Sequence, residues 1–288
     1  MQCLKPLSLR NPKWLDGDTT VPRWLSVPCG KCSACKMRRR KDWTFRLQQE
    51  SRHSSSQLFI TLTYDNMFLP LDSDGIAHVS KRDCQLFLKL LRKRVSQVSF
   101  NKLRYYLCSE YGPTTLRPHY HMILFNFPID ILEPTLTIQK CWDKGFIQCG
   151  PLLDGGASYV SKYVLADFDY NYYPRTKPFS LMSKGLGKDF VNEKIINYCY
   201  AQSTYSIPTS SNSRVVLPRY LRQKIFDEET LHAISEDVCN HVAKNISLSI
   251  EREFRRPIGS VGISSQQKDA YDRKVKQRLK SKHKDSKL

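Results

Sequence analysis

Apolar positions along the chain change period from one segment to the next, and the changes mark out an order of elements. Gln57–Tyr64 (QLFITLTY) concentrates β-branched and aromatic residues over eight positions and reads as a strand. Ser80 then stands as an N-cap before KRDCQLFLKLLRKRVSQ, where Leu86, Phe87, Leu90 and Leu91 recur at helical spacing. Two further strands follow, Leu103–Glu110 (LRYYLCSE) and His119–Phe127 (HYHMILFNF). The link between them carries Gly112, Pro113 and Pro118, which predicts a hairpin. A short helix near Pro134–Trp142, a strand at Phe146–Gly150 and a helix from about Ala157 to Ala166 complete the series. Strand–helix–strand–strand–helix–strand–helix predicts an α+β fold, an antiparallel β-sheet with helices on one face.

Charge changes that picture more than composition does. The 288 residues carry 46 Lys+Arg against 27 Asp+Glu, a formal net charge of +19. Such an excess argues against a small neutral metabolite as the main partner and for a polyanion. Fifteen Tyr and thirteen Phe add rings on which bases stack, so nucleic acid is the expected partner. The ends are the most basic: residues 1–50 hold 11 Lys+Arg and 4 Asp+Glu, and residues 264–288 hold 9 and 3. The last stretch predicts a basic helix, on nucleic acid or simply solvated. The opening MQCLKPLSLRNPKW has no apolar signal core and no run of eighteen apolar residues occurs, so the expectation is a cytoplasmic chain without a membrane partner.

Two constellations carry chemistry. In Pro118-His119-Tyr120-His121 the histidines alternate on a strand and so share a face, where two imidazoles can chelate one divalent cation; a purely structural pair is the competing reading. Glu110, across the hairpin, is a candidate third ligand that would favour Mg2+ or Mn2+, or else a surface carboxylate. In Tyr159-Val160-Ser161-Lys162-Tyr163 a helix would place both phenols on one face with Lys162 close by, unless the tyrosines pack on a core.

These residues, taken in order, carry a resemblance. His119-Tyr120-His121 followed by Tyr159, Lys162 and Tyr163 resembles the HUH endonucleases, in particular the two-tyrosine replication initiators of rolling-circle phages. Phe59-Ile60-Thr61-Leu62-Thr63-Tyr64 is similar to that family's first motif. Pro28-Cys29-Gly30-Lys31-Cys32, Arg38-Arg39-Arg40, Ser109-Glu110-Tyr111-Gly112, Arg117-Pro118 and Met182-Ser183-Lys184-Gly185-Leu186-Gly187 resemble the gokushovirus-type initiators of the Microviridae. The likeness runs from about Cys3 to Arg222.

The resemblance implies a ferredoxin-like Rep fold in residues 51–205, with a Cys-rich basic segment at 1–50 and a basic, partly helical region at 206–288. It implies a divalent metal, Mg2+ or Mn2+, on His119, His121 and Glu110, with Tyr159 and Tyr163 as nucleophiles and Lys162 beside the phosphate. Arg38, Arg39, Arg40 and Arg117 are the candidate DNA contacts. The implied reaction nicks and rejoins a single-stranded DNA replication origin in the host bacterial cytoplasm, beside the host replication machinery, through a 5′-phosphotyrosyl link. No Walker loop is present, as expected for an exchange of phosphodiesters that needs no ATP. A non-enzymatic binder of single-stranded nucleic acid is the alternative, since it too explains the charge and the aromatics. A relaxase or transposase of the same fold would share the chemistry.

Cys29-Gly30-Lys31-Cys32-Ser33-Ala34-Cys35 repeats the CxxC spacing, and Cys3 offers a remote fourth thiolate. Structural Zn2+, an iron–sulfur cluster and no metal are all compatible with that spacing. Cys84, Cys108, Cys141, Cys149, Cys199 and Cys239 are scattered and expected as small buried hydrophobes. His53, His78, His232, His241 and His283 lack ligand-spaced partners. Lys184-Gly185-Leu186-Gly187 is either a phosphate contact or a turn.

Overall fold

The computed structural model describes residues 3–16, 19, 22–128, 134–152, 174–209, 212–238 and 240. Two compact units divide it, Met1–Arg39 with Phe226–Leu288, and Arg40–Ile225.

The larger unit is built on one five-stranded sheet. Its strands are β3 (Gln57–Tyr64), β4 (Arg104–Tyr111), β5 (Pro118–Phe125), β6 (Gly145–Pro151) and β7 (Ser180–Met182), in the order β6-β3-β5-β4-β7 with every neighbour antiparallel. Helix α2 (Lys81–Val95) joins β3 to β4, and the six-residue α3 (Pro134–Gln139) lies between β5 and β6. The expected α+β, antiparallel architecture is present, in the strand–helix–strand–strand–helix–strand order of a split βαβ unit.

Each face of the sheet has its own core. On the first, Ile60, Leu62, Tyr120, Met122 and Leu124 meet Phe87 and Leu91 of α2 and Ile138 of α3, and Trp142 beyond α3 fills the space between. Ser80 caps α2 as its sequence position predicts, its hydroxyl accepting from Asp83 N at 3.2 Å. The buried stripe of α2 is Cys84, Phe87, Leu88, Leu91 and Val95, whereas Leu86 and Leu90 are exposed. Of the four apolar residues singled out by their helical spacing, Phe87 and Leu91 thus belong to the buried stripe and Leu86 and Leu90 do not. Tyr120 supplies more than bulk: its hydroxyl accepts from Ser80 N at 2.7 Å and lies 3.0 Å from Tyr64 Oη, which itself donates to Asp83.

On the second face, Tyr106, Cys108, Ile123 and Phe125 pack with Leu47 and Trp43 of α1 (Ser33–Arg52) and with Leu186. Helices therefore cover both faces, not one as the element order suggested. The reason is that α1, read from sequence as part of a separate basic segment, turns Trp43, Leu47 and Glu50 to the sheet. Glu50 is buried, pairs with Arg104 and accepts from Gly187 N at 2.7 Å. Lys184–Gly187 is a turn: Leu186 is buried and its carbonyl accepts from Arg46 Nε at 3.0 Å. The Arg46 guanidinium lies 4.3 Å from the Trp43 ring centroid and 4.2 Å from that of Tyr220. Beyond the sheet, α4 (Glu193–Ala201), the β8–β9 hairpin (Ser206–Pro208 and Arg214–Val216) and α5 (Arg219–Ile225) complete this unit.

In the smaller unit, β1 (Leu7–Arg10) pairs antiparallel with β2 (Trp24–Val27). Cys84, Cys108, Cys141 and Cys199 are buried and Cys149 is partly so, as expected of small apolar side chains, while Cys239 lies outside the described residues. Among the described residues no helix is long and apolar enough to cross a membrane.

Candidate active site

The strand registers bring the candidate ligands into rows. Residues directly opposite one another in an antiparallel pair point to the same face. Phe146, Thr63, His119 and Glu110 form one row across β6, β3, β5 and β4. Gln148, Thr61, His121, Cys108 and Ser180 form the next, reaching β7. Both rows continue the face that α1 covers through Phe59, Ile123 and Tyr106. The packed end supplies rigidity and the polar end supplies the site.

Each imidazole is held from β3. Thr61 Oγ1 lies 3.1 Å from His121 Nδ1, and Thr63 Oγ1 lies 3.1 Å from His119 Nδ1. A hydroxyl both donates and accepts, so either threonine serves either tautomer of its histidine. The His121 ring also stacks on Phe59, with centroids 5.9 Å apart and planes at 9°. His121 Nε2 is hydrogen-bonded to Glu110 Oε1 at 2.7 Å. Burial holds His119 below the usual histidine range, opposed by the Glu110 charge and reinforced by His121 and Arg117. A depressed value keeps this imidazole neutral, the form that ligates a cation.

Two imidazoles and one carboxylate make a donor set suited to a divalent cation such as Mg2+ or Mn2+. His119, His121 and Glu110 are adjacent on one face, with the His121 and Glu110 donor atoms bonded to each other. Among the described residues Cys3, Cys29, Cys32 and Cys35 are the one group whose ligand atoms all come within 4.8 Å of one another; His119, His121 and Glu110 share a face but do not converge in that way.

The remaining candidates fall in different places. Tyr159, Lys162 and Tyr163 lie outside the described residues. Arg117 clasps the hairpin to the end of β3: its guanidinium donates to the Tyr64 carbonyl and, at 2.8 Å, to Asn66 Oδ1. Arg38 and Arg39 are exposed on α1 and Arg40 is half-buried. Thr61 and Thr63 stand in the stretch similar to the family's first motif but were not singled out from the sequence as partners of the histidines, and Phe146, in the same row as Thr63 and His119, was not singled out either. The threonines had a signal, the alternation in Ile60-Thr61-Leu62-Thr63, which puts both hydroxyls on the face opposite Ile60 and Leu62.

Residues 57–168 match the family model that describes the ORF2 type of replication-associated protein. Three similar proteins come from phages. Replication-associated protein ORF2 of Spiroplasma virus 4 is 30% identical over 261 residues, covering 78% of this chain and 80% of that protein. Replication-associated protein VP4 of Bdellovibrio phage phiMH2K is 29% identical, covering 68% of this chain and 66% of that one. Replication-associated protein ORF4 of Chlamydia phage 1 is 29% identical over 213 residues, and the match spans 65% of this chain and 51% of that protein. No solved structure matches the chain.

Proposed function

Since the chain belongs to the phage replication-associated protein family, we propose that it starts rolling-circle replication by nicking and rejoining single-stranded DNA. The observation that carries this reading is the shared sheet face of His119, His121 and Glu110, with both imidazoles hydrogen-bonded to threonines of β3.

His119, His121 and Glu110 would hold Mg2+ or Mn2+, which supplies charge stabilisation on the scissile phosphate oxygens. The threonine partners on Nδ1 of His119 and His121 would keep the Nε2 atoms aimed at the ion. The phenol oxygen of Tyr159 or Tyr163 attacks phosphorus in line. An O–P bond to tyrosine forms as the P–O3′ bond breaks, and the phenolic proton is passed to the leaving 3′ oxygen. A free phenol, with a pKa of about 10, attacks poorly at neutral pH, and Lys162, if it lies close to the phosphate or the phenol, would favour negative charge there. The products are a 5′-phosphotyrosyl protein and a 3′-hydroxyl on which a host polymerase can extend. With two tyrosines, one can cut the regenerated junction while the other holds the displaced strand. Net charge of +19 supports retention of the strand, and Arg38, Arg39 and Arg40 lie along the basic helix α1.

The test uses end-labelled single-stranded oligonucleotides tiling the viral strand, incubated with Mn2+ or Mg2+ and run on denaturing gels. One tile should give a covalent protein–DNA band that requires metal. The band should be lost in Glu110→Gln and in the Tyr159→Phe/Tyr163→Phe double variant. Binding without any adduct across all tiles would instead favour the non-enzymatic binder.

A further inference from the structure

We propose that Cys3, Cys29, Cys32 and Cys35 bind one structural Zn2+ that ties the start of the chain to the start of α1. All four sulfurs lie within 4.8 Å of one another. Cys3 Sγ is 3.5 Å from Cys29 Sγ and 3.8 Å from Cys32 Sγ. Thiolates bound to zinc at about 2.3 Å in a tetrahedron stand about 3.8 Å apart, close to the separations of Cys3 Sγ from Cys29 Sγ and Cys32 Sγ. A cubane iron–sulfur cluster interposes its own core between the thiolates and needs wider separations, so the gathering favours a single ion. Of the two single ions that four thiolates select, zinc and iron, zinc needs no redox poise to stay bound.

The backbone around the sulfurs is arranged for negative charge. Leu4 N donates to Cys32 Sγ at 3.4 Å, Cys29 N to Cys3 Sγ at 3.2 Å, and Cys32 N to Cys29 Sγ at 3.3 Å. Gly30, with φ of +72°, makes the tight turn that brings Cys32 N back over Cys29 Sγ. Cys35 is buried on the first turn of α1, three residues beyond Cys32, so both face one point.

A staple is also needed here. All of β1 and most of β2 is exposed, so this hairpin has almost no apolar core of its own. Small pieces of that kind are held by metals or disulfides. This site is separate from the sheet chemistry, and its test does not depend on DNA cleavage.

The full chain, purified under reducing conditions, should contain one zinc per chain by plasma mass spectrometry. Cys29→Ser and Cys32→Ser should lower that to background, while Cys149→Ser should keep it. Cys35→His, which preserves a tetrahedral donor, should retain metal and change the visible spectrum of the Co2+-substituted protein, separating ligand loss from misfolding. Chelated protein should be cut by protease between residues 3 and 32 many times faster than the metal-loaded form. Iron in place of zinc, a Cys3–Cys29 disulfide in the purified protein, or full zinc content in Cys29→Ser would overturn the proposal.

Discussion

Thr63 and His119 face each other across β3 and β5 with Oγ1 and Nδ1 3.1 Å apart, and Thr61 and His121 repeat the relationship two residues along at the same distance. The repeat follows from strand geometry: residues i and i+2 on both strands share a face and a register. Each threonine fixes the direction in which its partner's Nε2 points. Such outer partners are worth roughly 10- to 100-fold in metal affinity. Thr61→Val/Thr63→Val keeps the shape of both side chains and removes both anchors. Calorimetric titration with Mn2+ should show affinity about 10- to 100-fold weaker, with a melting temperature lowered as well, because each ring Nδ1 loses its partner. Unaltered affinity would mean that the hydroxyls do not orient the rings.

His119 gives a pH signature. Its folded-state value lies below the usual one, first because burial disfavours the charged ring. The unfolded chain therefore takes up the proton first as pH falls through about 6.5, and stability contributed by this residue declines from there down to the folded-state value. In chelator, the thermal stability of the protein should fall more steeply than that of His119→Gln as pH is lowered through about 6.5. Equal slopes in the two proteins would show that His119 is not the residue responsible.

That His119, His121 and Glu110 share a face was legible in sequence, because period-2 alternation and the hairpin link fix which residues point the same way. His119, His121 and Glu110 needed only the register of β4 on β5. The role of α1 was not legible. Its local composition is basic, and only the distant partners Arg104 and Gly187 show that Glu50 and Leu47 belong to the sheet's core. Similarly, Leu86 and Phe87 are equally apolar, and the choice of which one faces inward is made by where α2 meets the sheet.

Gly187 is the tightest point of that long-range packing. Its φ is +73°, and a Cβ there would sit 2.7 Å from the Arg46 carbonyl oxygen, a backbone atom of α1 with little room to yield. Left-handed backbone at a non-glycine residue and forced overpacking each cost roughly 1–3 kcal/mol, so Gly187→Ala should destabilise by at least about 2 kcal/mol. At this chain length that corresponds to a melting temperature lower by about 4–8 °C. Gly75 has φ of +72° with nothing within 4 Å of a Cβ, so Gly75→Ala should lose about half as much or less. Equal losses in the two variants would assign the effect to backbone conformation and not to contact with α1.

Phe146 lies in the row of Thr63, His119 and Glu110 and is 66% exposed. A large exposed ring gains nothing for the core from that position, whereas beside the face proposed to handle phosphate it offers a plane for an unpaired base. Stacking on an aromatic ring is worth about 1–3 kcal/mol per base, and each 1.4 kcal/mol is tenfold in affinity. Phe146→Ala should therefore weaken binding of a labelled single-stranded oligonucleotide by roughly 5- to 150-fold, read by fluorescence anisotropy at one fixed salt concentration. Its melting temperature should stay close to that of the unaltered protein, because truncation of an exposed side chain usually changes stability by no more than about 0.5 kcal/mol. Phe146→Trp should restore most of the affinity, as stacking requires a ring and not this particular one. An alanine variant that binds as tightly as the parent would leave strand retention to the basic residues alone.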